Sequence, residues 1–543
     1  MNDVTVELST APVPPGKRSV ATFSRTMPFG AFEWDESDEI SGLDGSANTS
    51  ELHESGSGYL GNVSSAAFLH VAGISFASLD ILPSSPTSIG EISAGMERLD
   101  TYINAYFSVF HTSYPILHEA TFRAQQVEII ARPPQVLWQS LTYIVAAIGA
   151  TATASDRTLH QSYFKTAKLA LTINILECGN MTTVQVLALF AQYLQKSGNK
   201  PNQAYNFIGL ARRIALSLGL HREVPDSSNI NTNAWKIENR RRVWWCLFVL
   251  DFEMSLTLSR PIELLQGADV QIPLNILDET LTMTATQMPE EVLETTIYTG
   301  LICQAQFNVA IADIYNCLLD EDNPAAEQVI AADDEMIRGW SASLPPFFAE
   351  HMPQDPKFVL SHSILHLRPW NFRIVMYRPF LIQAMEAAST SLASPPSKAL
   401  DAIFTAARRC QEAAKETISK VDAVMPYLPK TQLASWYMLW FLFQAAVIAA
   451  LSLRDCQDAA EAEQWRNQVD CTVRLMRTIE CLVSKAARCV QIVENVVLSR
   501  SAQPIDLDLG EIPSADFDAD FNEMGIMFNS SLPDQFGHTD LID

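Results

Sequence analysis

The sequence predicts an all-α fold, one large multi-helix domain flanked by disordered acidic arms. Three observations carry that prediction. Apolar residues recur at helical spacing through most of residues 86–500. Alternation of period two never reaches a useful length. The negative charge gathers at the two ends: of a net charge of −25 over 543 residues, residues 1–60 hold ten Asp/Glu against three Lys/Arg, and residues 501–543 hold ten against none. Those surpluses of 7 and 10 leave −8 for the long middle, a mildly acidic body. At 48% apolar residues, that body has enough material for a substantial core.

Residues 1–85 are rich in Ser, Gly, Pro and acids, as in Val13 to Gly16 and Gly42 to Glu51. Such a stretch buries too little apolar surface to offset chain entropy, so disorder is expected. Within it Phe29, Phe32 and Trp34 stand among Glu33, Asp35, Glu36, Asp38 and Glu39. Order is expected to resume near Ile92. Helices are predicted over Leu137–Thr151, Gln161–Leu176, Thr183–Gln195, Ala204–Leu220, Glu238–Leu258, Thr295–Leu319, Ser363–Met385, Ser397–Ile418, Trp436–Leu453 and Ala459–Leu498. Phe207, Leu210, Ala211, Ile214 and Leu218 share one face of the fourth, and Gly219 stands where a left-handed glycine would end it. Arg222 to Asn233, Gln266 to Glu290, Asp320 to Pro324 and Ser389 to Ser397 read as loops, turns or linkers. Trp436 to Leu453 is barely long enough to span a bilayer and is interrupted by Gln444, so it reads as a buried core helix.

Charge and cysteine usage narrow the function classes. A nucleic-acid reader needs a basic footprint to neutralise phosphates, and this chain has none. The nine cysteines are Cys178, Cys246, Cys303, Cys317, Cys410, Cys456, Cys471, Cys481 and Cys489, with no C-x-x-C spacing. They read as reduced, mostly buried thiols and not as a disulfide framework or zinc cluster. Met1 to Thr10 lacks the basic start and apolar run of a secretory signal.

Several passages invite a sharper reading. Tyr106 to Phe122 runs YFSVFHTSYPILHEATF. Ala204 to Glu223 runs AYNFIGLARRIALSLGLHRE. Glu238 to Leu264 runs ENRRRVWWCLFVLDFEMSLTLSRPIEL, and Asp269 to Asn275 follows as DVQIPLN. A weaker fourth passage, Leu365 to Leu381, ends in YRPFL. Together these resemble the fungal-specific transcription factor domain, or middle homology region, over roughly residues 95–500. One departure is Ser259 before Arg260-Pro261, where that family commonly has glycine. The resemblance implies a regulatory domain at residues 86–500, residence in the nucleus, and a role in nutrient use or secondary-metabolite gene clusters. The family's usual zinc DNA-binding module precedes the domain, whereas the first cysteine here, Cys178, already lies inside the helical body. The expectation is therefore a regulator without its own DNA-binding residues, reaching promoters through a DNA-binding transcription factor or promoter complex. A metabolite-sensing or inhibitory role on the same scaffold, with a small-molecule effector, is the alternative. No residue is assigned to cofactor, metal, DNA or membrane.

Individual residues read structurally. Arg240, Arg241 and Arg242 suggest a solvated, salt-bridged helix start. Trp244 and Trp245 suggest core packing, and His111, His118 and His221 suggest core histidines. Asp251 calls for a buried partner such as Arg260 or Arg213, because an unpaired carboxylate there would be costly. An all-α enzyme such as a terpenoid cyclase would need carboxylates spaced for Mg²⁺. The candidates, Asp320-Glu321-Asp322 and Asp333-Asp334-Glu335, lack the DDxxD-like spacing, and no nucleophile motif appears, so no catalytic residue is assigned. The tail after residue 500 mixes acids with Phe517, Phe521, Met524 and Phe528. That pattern makes residues 501–543 a candidate activation segment, able to fold onto a coactivator groove.

Overall fold

The structure is a computed structural model of the chain. The structure describes residues 96–499 apart from 154–158, 172–178, 198–199, 225–232, 263–266, 286, 320–323, 350–352, 354 and 390–397, together with 33–35, 57–59 and Phe68. The body is all-α. In chain order it consists of α1 (Met96–Ala105, continued by a π turn Tyr106–Phe110), α2 (Glu119–Gln126), α3 (Gln135–Thr151), α4 (Leu159–Ala170), α5 (Met181–Lys196), α6 (Pro201–Ser217) and α7 (Ala234–Leu258). Then follow α8 (Thr299–Leu319), α9 (Ala326–Ala332, running through a π turn Asp333–Ile337 into α10, Arg338–Ser343), α11 (Val359–Ser389), α12 (Lys398–Val424), α13 (Gln432–Asp455), α14 (Ala459–Ile479) and α15 (Lys485–Leu498). Two three-residue strands, β1 (Glu33–Asp35) and β2 (Ser57–Tyr59), pair antiparallel within the segment expected to be disordered.

Local chemistry sets the helix ends. The Asn180, Asn233, Thr431 and Asp458 side chains each accept from a backbone N–H of the first turn, at α5, α7, α13 and α14. Pro201 opens α6, where its missing N–H costs nothing. Gly219 follows that helix at φ +64°, and Leu220 N donates to Ala215 O at 3.0 Å, the expected left-handed stop. Ser259 occupies the same kind of position after α7, at φ 55° and ψ 50°. Glycine would enter that conformation freely, whereas an L side chain is strained in it.

The apolar helices make one core. α13 is buried along nearly its whole length, including Trp436, Leu439, Phe443 and Ile448, and packs against α11, α12, α14 and α15. At the other end α1 crosses α3 so closely that a Cβ on Gly149 would lie 1.8 Å from the Tyr102 carbonyl oxygen. Phe68, from within the N-terminal arm, is also buried, with the Arg378 guanidinium 5.3 Å from its ring centroid.

Two expectations need correction. The single helix predicted over Ala459–Leu498 is two, α14 and α15, which turn back on each other at residues 480–484. The Arg477–Glu494 pair at 2.9 Å bridges the hairpin. No glycine or proline marks the turn. Folding back lets Val469, Met476, Val490 and Val493 all reach the shared core, which one straight rod could not do. The thiols are also less buried than expected: Cys246, Cys303, Cys410 and Cys489 are buried, but Cys317 and Cys481 are exposed. Cys178 lies outside the described residues.

Candidate functional site

The family-like passages converge on two buried ionic centres. In the first, Glu253 of α7 accepts from the Tyr114 hydroxyl at 2.6 Å and from Arg368 of α11 at 2.9 Å, and lies 3.4 Å from Lys196 of α5. Tyr437 of α13 adds its hydroxyl 3.1 Å from that of Tyr114. Burial alone would raise the Glu253 pKa, but the two cations overcome it and hold the group below the usual carboxylate range. Burial pulls Lys196 down to about 8, with Glu253 opposing the shift. Two cations therefore share one carboxylate in the middle of the fold.

The second centre surrounds the arginine run, where the expected salt bridges form but the expected solvation does not hold for Arg241 and Arg242. Arg241 and Arg242 are buried, 8% and 2% exposed. Arg242 donates to Glu238 at 3.1 Å and to Asp278 at 2.9 Å, and its guanidinium lies 3.7 Å from the Tyr298 ring centroid. Arg241 reaches Glu223 at 2.8 Å and Gln271 at 2.8 Å. Arg240 donates to the Gly219 carbonyl at 2.6 Å, closing the C-terminus of α6. Glu223 and Gln271 come from loops and Asp278 from a single 3-10 turn (Asp278–Thr280), so the carboxylates and carbonyls that replace water are distant in sequence. Burial raises the pKa of fully buried Glu238 despite Arg242 beside it.

His111 and His118 are interior, as expected, with different roles, whereas His221 is only half-buried. His118 caps α2, accepting from Thr121 N at 3.3 Å, and its other nitrogen is 3.9 Å from Asp278. Burial lowers His111 to about 4, so it is neutral at physiological pH. Trp244 and Trp245 lie in the core, with Trp245 Nε1 donating to Gln271 O at 2.8 Å. Asp251 is buried with a cation beside it, Arg212 at 3.8 Å.

The acidic triplet Asp333-Asp334-Glu335 holds no metal geometry. Asp333 accepts from Arg373 at 2.9 Å and from Tyr377 at 2.8 Å, and Asp334 lies 3.1 Å from Arg409. These carboxylates are already neutralised by arginines. Asp320-Glu321-Asp322 and the candidate activation residues Phe517, Phe521, Met524 and Phe528 lie outside the described residues.

One concave feature escaped the sequence. A cleft of about 840 Å³ opens between α10, the segment after it, α11 and the C-terminal end of α12. Trp340, His362, His366, Trp370, Lys420 and Tyr427 are among its lining residues. No Asp or Glu lines it among the described residues. Its residues come from separate turns of three helices and a loop, with no local spacing that could have revealed them.

The passages that looked like signatures thus serve to lock helices together, and the open concave surface lies elsewhere. Residues 103–321 match the fungal specific transcription factor domain. It is 34% identical over 182 residues to the lactose regulatory protein LAC9 of Kluyveromyces lactis, covering 33% of this chain and 20% of that protein. It is 23% identical over 413 residues to transcription factor FBD3 of Fusarium pseudograminearum, covering 69% and 52%. It is 23% identical over 386 residues to sorbicillinoid biosynthetic cluster transcription factor 2 of Penicillium rubens, covering 66% and 54%. The chain spans about half or less of the length of these relatives. The family and these relatives are transcriptional regulators.

Proposed function

We propose that this chain regulates transcription in the nucleus, acting on promoters through a DNA-binding partner and controlling a nutrient-use or secondary-metabolite gene cluster. The observation that carries the reading is the domain match over residues 103–321, supported along the chain by relatives that include a biosynthetic cluster factor. Recruitment through a partner is supported by the acidic balance of these 543 residues, which offers little to neutralise phosphates. The tail 501–543 supplies activation, its Phe517, Phe521, Met524 and Phe528 folding onto a coactivator while the acids keep the free segment solvated.

The test is a reporter assay. The full chain fused to an unrelated DNA-binding domain should activate transcription and concentrate in the nucleus. Replacing Phe517, Phe521 and Phe528 together by alanine should remove most of that activation. A silent fusion, or activation indifferent to the three phenylalanines, counts against the activation segment. A fluorescent fusion excluded from the nucleus counts against the whole reading.

A further inference from the structure

The cleft along α11 has the chemistry of a ligand site. Its volume of about 840 Å³ falls in the size range of small-molecule pockets. Its wall is aromatic on several sides, from Trp340, Trp370 and Tyr427, which suits a flat ring. Its charge has one sign. Lys420 is exposed and has no carboxylate partner among the described residues, whereas the Arg373 guanidinium is already matched by Asp333 at 2.9 Å. Both cations flank Trp370, at 6.0 Å and 4.7 Å from its ring centroid.

The second observation lies deeper in the same cleft. His362 is 4% exposed, and neither of its ring nitrogens has a hydrogen-bond partner. A buried polar group left unpaired is costly, so a partner entering the cleft would be stabilised there. Neighbouring His366 is held by the Phe348 carbonyl at 3.1 Å, and its ring centroid lies 4.2 Å from that of His362. Burial first, then His366 and Lys420, drive His362 down to about 3. The ring is therefore neutral at physiological pH and offers one N–H and one lone pair.

We propose that this cleft binds a planar aromatic carboxylate, with the acid group on Lys420, the ring against Trp370, and a polar atom meeting His362. The proposal rests on the regulator reading only for what binding would accomplish. The binding itself is measured on the protein alone.

The purified full chain is titrated calorimetrically with 2-naphthoate and, as an uncharged counterpart, with 2-naphthylmethanol. Naphthoate should bind about tenfold more tightly, the discrimination expected of one charge-assisted contact. Lys420→Met, at an exposed position, should erase that preference while leaving the alcohol's affinity in place. His362→Phe should weaken naphthoate as well, with an unchanged circular dichroism spectrum confirming the fold. Equal affinity for acid and alcohol, a preference that survives Lys420→Met, or no heat of binding at millimolar ligand would each overturn the proposal. None of these outcomes bears on the reporter result, so the two readings fail separately.

Discussion

Replacing Glu253 by Gln should damage the fold far more than replacing Lys196 by Met, although the two residues face each other in one ion pair. Glu253 is the carboxylate that Lys196 and Arg368 share, at 3.4 Å and 2.9 Å. Glu253→Gln keeps the shape but strands the buried Arg368 guanidinium without its carboxylate, beside a lysine that has lost the partner favouring its charge. Breaking a buried pair in this way costs about 3–5 kcal/mol. Lys196→Met leaves Arg368 and Glu253 as a balanced pair. The methionine side chain then sits among the rings of Tyr114, Trp436 and Tyr437, whose centroids lie 5.0, 5.6 and 4.9 Å from the ammonium. Because burial already depresses Lys196 to about 8, the fold gains little from its charge, and this exchange should stay within about 1 kcal/mol of the parent. The sign of the pH dependence follows. The folded pKa lies below the unfolded value, so between about 8 and 10.5 the unfolded chain binds more protons, and this group makes stability rise with pH across that window. Lys196→Met should remove that rise. Urea unfolding followed by tryptophan fluorescence at pH 7 and pH 9.5 measures both effects. A Glu253→Gln protein within about 1 kcal/mol of the parent, or a Lys196→Met protein as damaged as Glu253→Gln, would refute the argument.

Two glycines make a controlled comparison. Gly149→Ala drives a methyl to 1.8 Å from the Tyr102 carbonyl oxygen and should cost about 3 kcal/mol, read as a lower thermal midpoint. Gly209→Ala, in α6 with nothing within 4 Å of the added carbon, should stabilise by about 0.5–1 kcal/mol in the same assay. At Ser259, glycine should raise stability by about 1 kcal/mol and valine should lower it by more, since φ 55° suits the first and opposes the second. Equal midpoints for those two Ser259 variants would show that the turn relaxes elsewhere.

Much of this architecture was legible because it is local. The apolar stripe of Ala204–Leu220 and the glycine after it predicted α6 and its end. The length and lone glutamine of Trp436–Leu453 pointed to a core helix, and α13 is one. The features that were missed depend on distance. Arg241 and Arg242 read as solvated because their carboxylates, Glu223 and Asp278, approach from other segments, and nothing in the run itself announces them. The turn between α14 and α15 carries no breaking residue and is set by the core both helices share. The cleft is the extreme case. His362 lies one turn before His366 on α11, but Lys420 and Tyr427 join them only after α12 packs alongside.

The grip on the start of α7 has a mechanical consequence. Successive residues on a helix point about 100° apart, so Arg240, Arg241 and Arg242 are tethered around more than half of its circumference. Their anchors are the end of α6, the two loops that carry Glu223 before α7 and Gln271 after it, and the Asp278 segment. Farther along, Glu253 is bolted to α5 and α11. An axle pinned in this manner can neither spin nor slide alone. A push delivered at one end of the body would carry α5, α6, α7 and α11 along together, as a single rigid lever.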